Sequence, residues 1–356
     1  MADSPEAKIP RPLEPYRINL IMNLSDFDYK LPKSKIAQYP AGERDFSRLL
    51  VVNRKRGKID HRLFRDITGY LHPGDVLVLN DTRVIPARIY GAKPTGGKVE
   101  ILLIKEELPN TWEALVKGII QGRVILKEGL TASVSRFNGT ARVKFEGNIQ
   151  NSLKRIGVMP LPPYIKRQSA PSDTERYQTV YAKKDGAIAA PTAGLHFTAE
   201  LLERIEQKGV TVKKLTLHVG YGTFKPVQAN DIKKHEMDEE LYEIPGATAD
   251  AINRAKSEGS RVIAVGTTVT RALEASGGQR GGSGVRAGKG RASIFIYPGY
   301  SFRVADALIT NFHLPKSTTM MLTSAFSGLT LLKKAYFEAL DKNYRFYSYG
   351  DAMLII

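Results

Sequence analysis

The chain reads as an α/β protein with an inserted all-β domain: a helix-covered mixed sheet into which a small β-barrel is set. Three observations predict this. After about residue 159, apolar positions at helical spacing alternate with short apolar runs, the pattern of a sheet covered by helices. Between 84 and 158 the period falls to two and tight-turn pairs punctuate it. Helix and strand character also precedes residue 84, so the all-β stretch interrupts an α/β unit rather than following one. The expected organisation is a flexible extension at 1–21, an α/β main domain from 22–83 and 159–356, and a barrel at 84–158.

Each element has a local reason. Pro5, Pro10, Pro12 and Pro15 without periodicity mark the extension, whose deletion is expected to be neutral. Asp60 is placed to cap a helix carrying Phe64, Ile67 and Leu71 on one face and ended by Pro73-Gly74. A strand over Val76 to Leu79 follows, running into Asn80-Asp81-Thr82-Arg83. In the barrel, Val99-Glu100-Ile101 and Thr140 to Phe145 alternate, and Gly96-Gly97 and Asn138-Gly139 signal hairpins; no helix is expected there.

Beyond 159, Thr198 caps a helix with Leu201, Leu202 and Ile205, stopped by Gly209. A strand from Val210 to Val219 ends in Gly220-Tyr221-Gly222-Thr223. A helix over Thr248 to Lys256 leads to the strand Val262 to Val265 and the turn Gly266-Thr267-Thr268. Strands near Ile294 and Leu308, two helices between Thr318 and Leu340, and a closing strand from Ala352 complete the pattern. Gly277 to Gly290, rich in Gly, Arg and Lys, is expected to be a mobile basic loop.

Composition narrows the chemistry. With no cysteine among 356 residues, disulfides, thiolate metal ligation and a cysteine nucleophile are excluded. No apolar run approaches the roughly twenty residues of a membrane span, and the start lacks a secretory core, so a cytoplasmic protein is expected, as a monomer. Lys and Arg outnumber Asp and Glu by 53 to 36, a surplus that suits a polyanionic partner such as nucleic acid. Between Lys117 and Arg167, ten basic residues stand against Glu128 and Glu146; Arg136, Arg142, Lys144, Lys154 and Arg155 are the candidate phosphate contacts.

Several familiar motifs fail on inspection. Gly220-Tyr221-Gly222 lacks the third glycine and the helix of a dinucleotide turn. Lys316-Ser317-Thr318 has no glycine cradle before it, His235 to Glu239 lacks the second histidine of a zinc-protease helix, and no serine sits in a nucleophile elbow. What recurs is polar or glycine turns after strands, at Asn80 to Arg83, Gly220 to Thr223, Gly266 to Thr268 and Asn311 to His313. In open α/β sheets ligands sit outside the carboxyl ends of strands, so these turns and the small-residue loop Ala189 to Thr198 are candidates to surround one polar pocket. His196 sits in that loop before a capped helix, a place suited to holding a polar or charged ligand.

In these same stretches the chain resembles the S-adenosylmethionine:tRNA ribosyltransferase-isomerase family of queuosine biosynthesis. The resemblance rests on Asn80 to Arg88, Leu161 to Ile165, Glu175 to Ala182, Ala190 to Thr198, Leu217 to Gly220 with Gly222-Thr223-Phe224, Val265 to Thr268, Asn311 to Pro315 and Tyr344 to Leu354. It departs from the family in the extension before Met22, in the longer loop near residue 285, and in Asp238, where a second histidine is common. The resemblance implies transfer and isomerisation of the ribosyl unit of S-adenosylmethionine onto the aminomethyl group of a 7-deazaguanine wobble base, giving epoxyqueuosine, adenine and methionine. It implies no separate cofactor and no metal, because S-adenosylmethionine is consumed as a substrate. His196, His313 and Asp81 are the expected catalytic residues. Arg83, Pro191, Thr192, Gly194, His218, Gly220, Gly222, Thr223, Gly266, Thr267, Thr268, Arg271 and Asn311 are the expected substrate contacts. A non-catalytic RNA-binding protein and a metal-dependent hydrolase using scattered histidines are the alternatives.

Overall fold

The computed structural model describes residues 22–137, 139–220, 227, 229, 231–277 and 284–356. The chain opens with the hairpin β1 (Arg48–Asn53) and β2 (Lys58–Leu63), a 3-10 turn over Phe64–Tyr70, then β3 (Val76–Asn80) and β4 (Thr82–Val84). Six strands follow: β5 (Arg88–Ala92), β6 (Lys98–Leu108), β7 (Thr111–Lys117), β8 (Gly122–Leu126), β9 (Thr131–Phe137) and β10 (Thr140–Glu146). Next come α1 (Ile149–Ile156), β11 (Gly157–Val158), α2 (Asp173–Arg176), β12 (Lys184–Ala187), α3 (Ala199–Gln207), β13 (Thr211–Leu217) and β14 (Glu240–Ile244). The remainder is α4 (Gly246–Ser257), β15 (Val262–Val265), α5 (Thr267–Ser276), β16 (Gly288–Ala292), β17 (Ala307–Asn311), α6 (Thr318–Ser327), α7 (Leu329–Asp341) and β18 (Ala352–Ile355).

Among the described residues the main sheet runs β16-β14-β13-β3-β15-β17-β18-β1-β2. Its centre, β13-β3-β15-β17, is parallel, whereas β18 returns antiparallel to β17. Central strands are buried on both faces, so their residues alternate between two cores rather than between core and water. Leu50, Val52, Val76, Val78, Val262, Ala264 and Leu308 join one core with α4 to α7. Leu49, Val51, Leu77, Leu79, Ile263, Val265 and Ile309 join the other, under α3. α3 forms where expected: Thr198 Oγ1 accepts from Leu201 N at 3.1 Å, and Leu201 and Ile205 are fully buried, each contributing roughly 1.5–3 kcal/mol.

The second sheet closes on itself. β5 pairs with β6 on one side and, through Gly91 and Ala92, with β8 on the other, making a six-stranded barrel in the order β5-β6-β7-β10-β9-β8. Its core is Ile89, Ile101, Leu103, Ala114, Val124, Val134 and Val143. The Gly96-Gly97 turn joins β5 to β6, and Phe137 pairs with Thr140 across the hairpin whose Asn138 lies outside the described residues.

Three sequence expectations need correction. Asp60 caps no helix; it is paired in β2, and Phe64, Ile67 and Leu71 belong to or follow a 3-10 turn. The reason is that Lys58–Leu63 completes the sheet edge beside β1, which outweighs local helical spacing. The stretch 84–158 does contain a helix, α1, capped by Asn148 and burying Ile149, Leu153 and Ile156 in the barrel core. The strand expected near Ile294 lies earlier: Gly288–Ala292 pairs with β14, so part of the supposed basic loop is ordered sheet edge. Residues 278–283 of that loop lie outside the described residues.

Candidate active site

Because β13, β3, β15 and β17 are parallel neighbours, their carboxyl ends share one edge of the sheet. Three of the turns singled out in the sequence, at Asn80 to Arg83, Gly266 to Thr268 and Asn311 to His313, leave from there, as does the chain through His218 to Gly220. Asn80 ties two of them together: its amide donates to Leu217 O at 2.8 Å and accepts from Leu217 N and Thr82 N. Two concavities open at this edge. A cleft of about 1510 Å³ lies between it and the barrel, lined by Arg83, His218, Gly220, Arg271 and Asp238 on one side and by Lys105, Trp112, Glu113 and Lys154 on the other. A pocket of about 90 Å³ adjoins it through Val219 and is lined by Pro191, Thr192, Gly266, Thr267, Thr268, Asn311 and His313.

The pocket's walls follow from local geometry. Gly266 has φ +96° and ψ 153°, a conformation essentially restricted to glycine, and it turns the chain from β15 into α5. That turn aims Thr267 and Thr268 at the pocket opposite His313. Thr192 Oγ1 donates to Asn311 Oδ1 at 2.8 Å, fixing the small-residue loop on the end of β17.

The histidines occupy different settings. The Asn311 amide donates to His196 Nε2 at 3.1 Å, which makes Nδ1 the protonated nitrogen; that proton goes to Ser47 Oγ at 2.7 Å, and Ser47 donates on to Arg44 O. Burial, with the charges of Arg345 and Arg44, pushes the His196 pKa down to about 3, which favours the neutral imidazole. Both nitrogens are nonetheless engaged by the protein, the ring stacks on Phe64 at 5.0 Å, and His196 lines neither the cleft nor the pocket. His313 accepts or donates at Nε2 with Thr310 Oγ1 at 2.7 Å; its Nδ1 has no hydrogen bond to a described residue, and burial pushes its pKa down to about 3. His218 is held at Nδ1 by Thr82 Oγ1 at 2.8 Å and faces the cleft, its pKa lowered by burial and opposed by the charge of Asp81.

Asp81 is itself withdrawn. Its carboxylate accepts from Thr216 Oγ1 at 2.6 Å and lines neither concavity, standing behind His218. Gly194 is likewise behind the site, where a Cβ would fall 2.1 Å from Tyr181 Oη. The Arg271 guanidinium is clamped by Glu240 and by the carbonyls of Ala292 and Ile294, so it ties α5 to β14 and the segment after β16 at the cleft wall. Arg83 is exposed at the cleft mouth, near Asp185. Gly222 and Thr223 lie outside the described residues.

The barrel's basic surplus is partly neutralised. Arg142 pairs with Glu107 at 2.7 Å and lies over the Phe137 ring, and Arg155 pairs with Glu128 at 2.9 Å. Arg136, Lys144 and Lys154 remain exposed, with Lys154 on the cleft wall. Sequence reasoning passed over Tyr164, Tyr347 and Ser348, which line the pocket. The signal was present in the repeated aromatics of Tyr344 to Tyr349, but aromatics at such spacing equally describe a core. Among the described residues no three metal-binding side chains converge, and no helix is long and apolar enough to cross a membrane.

The family model for a queuosine biosynthesis protein matches residues 24–355. The S-adenosylmethionine:tRNA ribosyltransferase-isomerase of Geotalea uraniireducens is 51% identical over 345 residues, covering 94% of this chain and 100% of that protein. The protein of the same name from Citrifermentans bemidjiense is 52% identical over 345 residues, with the same coverage. The crystal structure of an S-adenosylmethionine tRNA ribosyltransferase from Thermotoga maritima superposes with a TM-score of 0.55 at 36% identity, covering 93% of this chain and 100% of that one. Identity of this extent, on a sheet edge and barrel cleft built from the matching stretches, makes the chain a member of the queuosine biosynthesis family of S-adenosylmethionine:tRNA ribosyltransferase-isomerases.

Proposed function

We propose that this enzyme moves the ribosyl unit of S-adenosylmethionine onto the aminomethyl group of a 7-deazaguanine at the tRNA wobble position. The sugar is rearranged to give epoxyqueuosine, and adenine and methionine leave. The observation that carries this reading is alignment with ribosyltransferase-isomerases at about half identity over 94% of the chain. S-adenosylmethionine is a substrate in this scheme, and no cofactor takes part. A wobble base lies in an exposed loop and enters a cleft without melting a helix, and the cleft of about 1510 Å³ has room for it beside the sulfonium substrate.

The reaction removes a proton beside the sulfonium and breaks the bond to adenine, which departs more readily when protonated. Groups for both transfers must reach the substrates. We assign them to His313, through Nδ1 in the pocket, and His218, on the cleft. His196 is read as the positioning residue that orients Asn311, and Asp81 as the buried charge that supports His218. The cleft-facing Lys154 with Arg136 and Lys144 supplies phosphate contacts from the barrel. Adenine release tests the scheme: it is expected only when S-adenosylmethionine and tRNA bearing the aminomethyl base are both present. Release with either alone would overturn it.

A further inference from the structure

The segment from Lys33 to Phe46 has little regular structure, yet guanidinium groups pin it to the body. Arg167 donates to Gln38 O at 2.8 Å, Arg345 to Tyr39 O at 3.4 Å, and Arg176 to the carbonyls of Ala41 and Gly42. What this holds out to solvent is Tyr39, 62% exposed. Its ring lies against the Arg167 guanidinium, 4.3 Å from centroid to carbon. Arg167 is itself fixed by a two-point bond to the buried carboxylate of Asp173, at 2.6 and 2.7 Å. An exposed aromatic normally lies down on its own surface or is mobile; this one is backed by an immobilised cation and has a free face.

The surroundings are basic. Lys166, whose backbone N donates to Gln38 Oε1 at 2.7 Å, is exposed and has no ion pair among the described residues; the acids Glu43 and Asp45 stand at the far end of the segment. The platform is also joined to the pocket. Gln38, next to Tyr39, donates to Tyr164 O at 3.1 Å, and Tyr164 lines the pocket. Asp173 also accepts from Tyr349 Oη at 2.7 Å, beside the pocket-lining Ser348.

We infer that Tyr39 on Arg167 is a stacking platform for an unpaired nucleotide of the RNA substrate, with Lys166 taking a flanking phosphate. The inference rests on the tRNA reading above and deepens it: the α/β domain, and not the barrel alone, grips the anticodon loop. A base stacked on an aromatic tolerates any sequence, because every base has a π-face. A platform here places the wobble neighbour while the wobble base enters the site.

The test is binding of an anticodon stem-loop RNA to the full chain, measured over a range of salt. Tyr39→Ala should weaken binding roughly 5- to 100-fold without changing the salt slope, since no charge is lost. Tyr39→Trp should bind at least as tightly as the parent, and neither variant should shift the melting temperature, given the exposure of the side chain. Lys166→Glu should lower the slope by about 0.7, the share of one lost phosphate contact on a single strand. Binding of Tyr39→Ala within twofold of the parent would overturn the platform while leaving the tRNA reading intact. Failure of the parent chain to bind the RNA at all would sink both.

Discussion

A histidine's role is set by what its nitrogens already touch. His196 has the surroundings of a catalytic residue in the sequence, but Asn311 and Ser47 occupy both ring nitrogens. His313, three residues past the Thr310 that holds it, lines the pocket and has no hydrogen bond at Nδ1 to a described residue. His313→Gln should therefore lower turnover by roughly a hundredfold or more, the scale for losing a general acid or base, with little change in RNA affinity. His196→Gln should cost much less turnover and act mainly on KM. Steady-state kinetics of the two variants distinguish the roles, and the reverse ranking would return the proton transfer to His196. The same burial predicts a pH effect on stability. Folded, His196 gains its proton only near pH 3, whereas unfolded it does so near 6.5. Between those values the unfolded chain holds more protons, so stability falls as pH is lowered through 6.5, by about 1.4 kcal/mol per unit for this one group. Chemical denaturation at pH 5.5 and 7.5 should show that slope reduced in His196→Gln; an unchanged slope would mean the imidazole titrates normally.

At the scale of elements, the site is a consequence of strand direction. The chain leaves these strands along one edge because β13, β3, β15 and β17 run parallel, and Gly266 turns β15 into α5. Gly266→Ala puts a side chain where φ is +96°, at a cost of about 1–3 kcal/mol, and should displace Thr267 and Thr268. A lowered melting temperature with raised KM for S-adenosylmethionine is the expected result; an unchanged KM would separate this turn from the substrate. These turns were legible in the sequence because polar and glycine residues ended buried apolar runs such as Val262 to Val265. Their division between a cleft and a pocket was not legible, since it depends on how the barrel faces the sheet edge. Nor was β2, where a polar edge strand spaced like a helix is decided by its pairing with β1. α1 escaped because Asn148 caps a helix too short to interrupt the alternating pattern around it.

Across the whole molecule, charge was visible as a total but not as a distribution. Arg142 and Arg155 counted as candidate phosphate contacts, and their carboxylate partners Glu107 and Glu128 come from other strands or turns. Binding through the barrel should therefore respond to Lys144→Glu with Arg136→Glu, with lower affinity and a shallower salt dependence. Unchanged values in both would place the tRNA off the barrel. A methyl donor and a ribosyl donor release different fragments of S-adenosylmethionine. Mass spectrometry of tRNA carrying the aminomethyl-deazaguanine base, after incubation with the enzyme and S-adenosylmethionine, measures this directly. A wobble nucleoside heavier by the rearranged sugar is expected, with adenine and methionine released in equal amounts. A methylated nucleoside, or an unmodified tRNA with S-adenosylmethionine intact, would contradict ribosyl transfer.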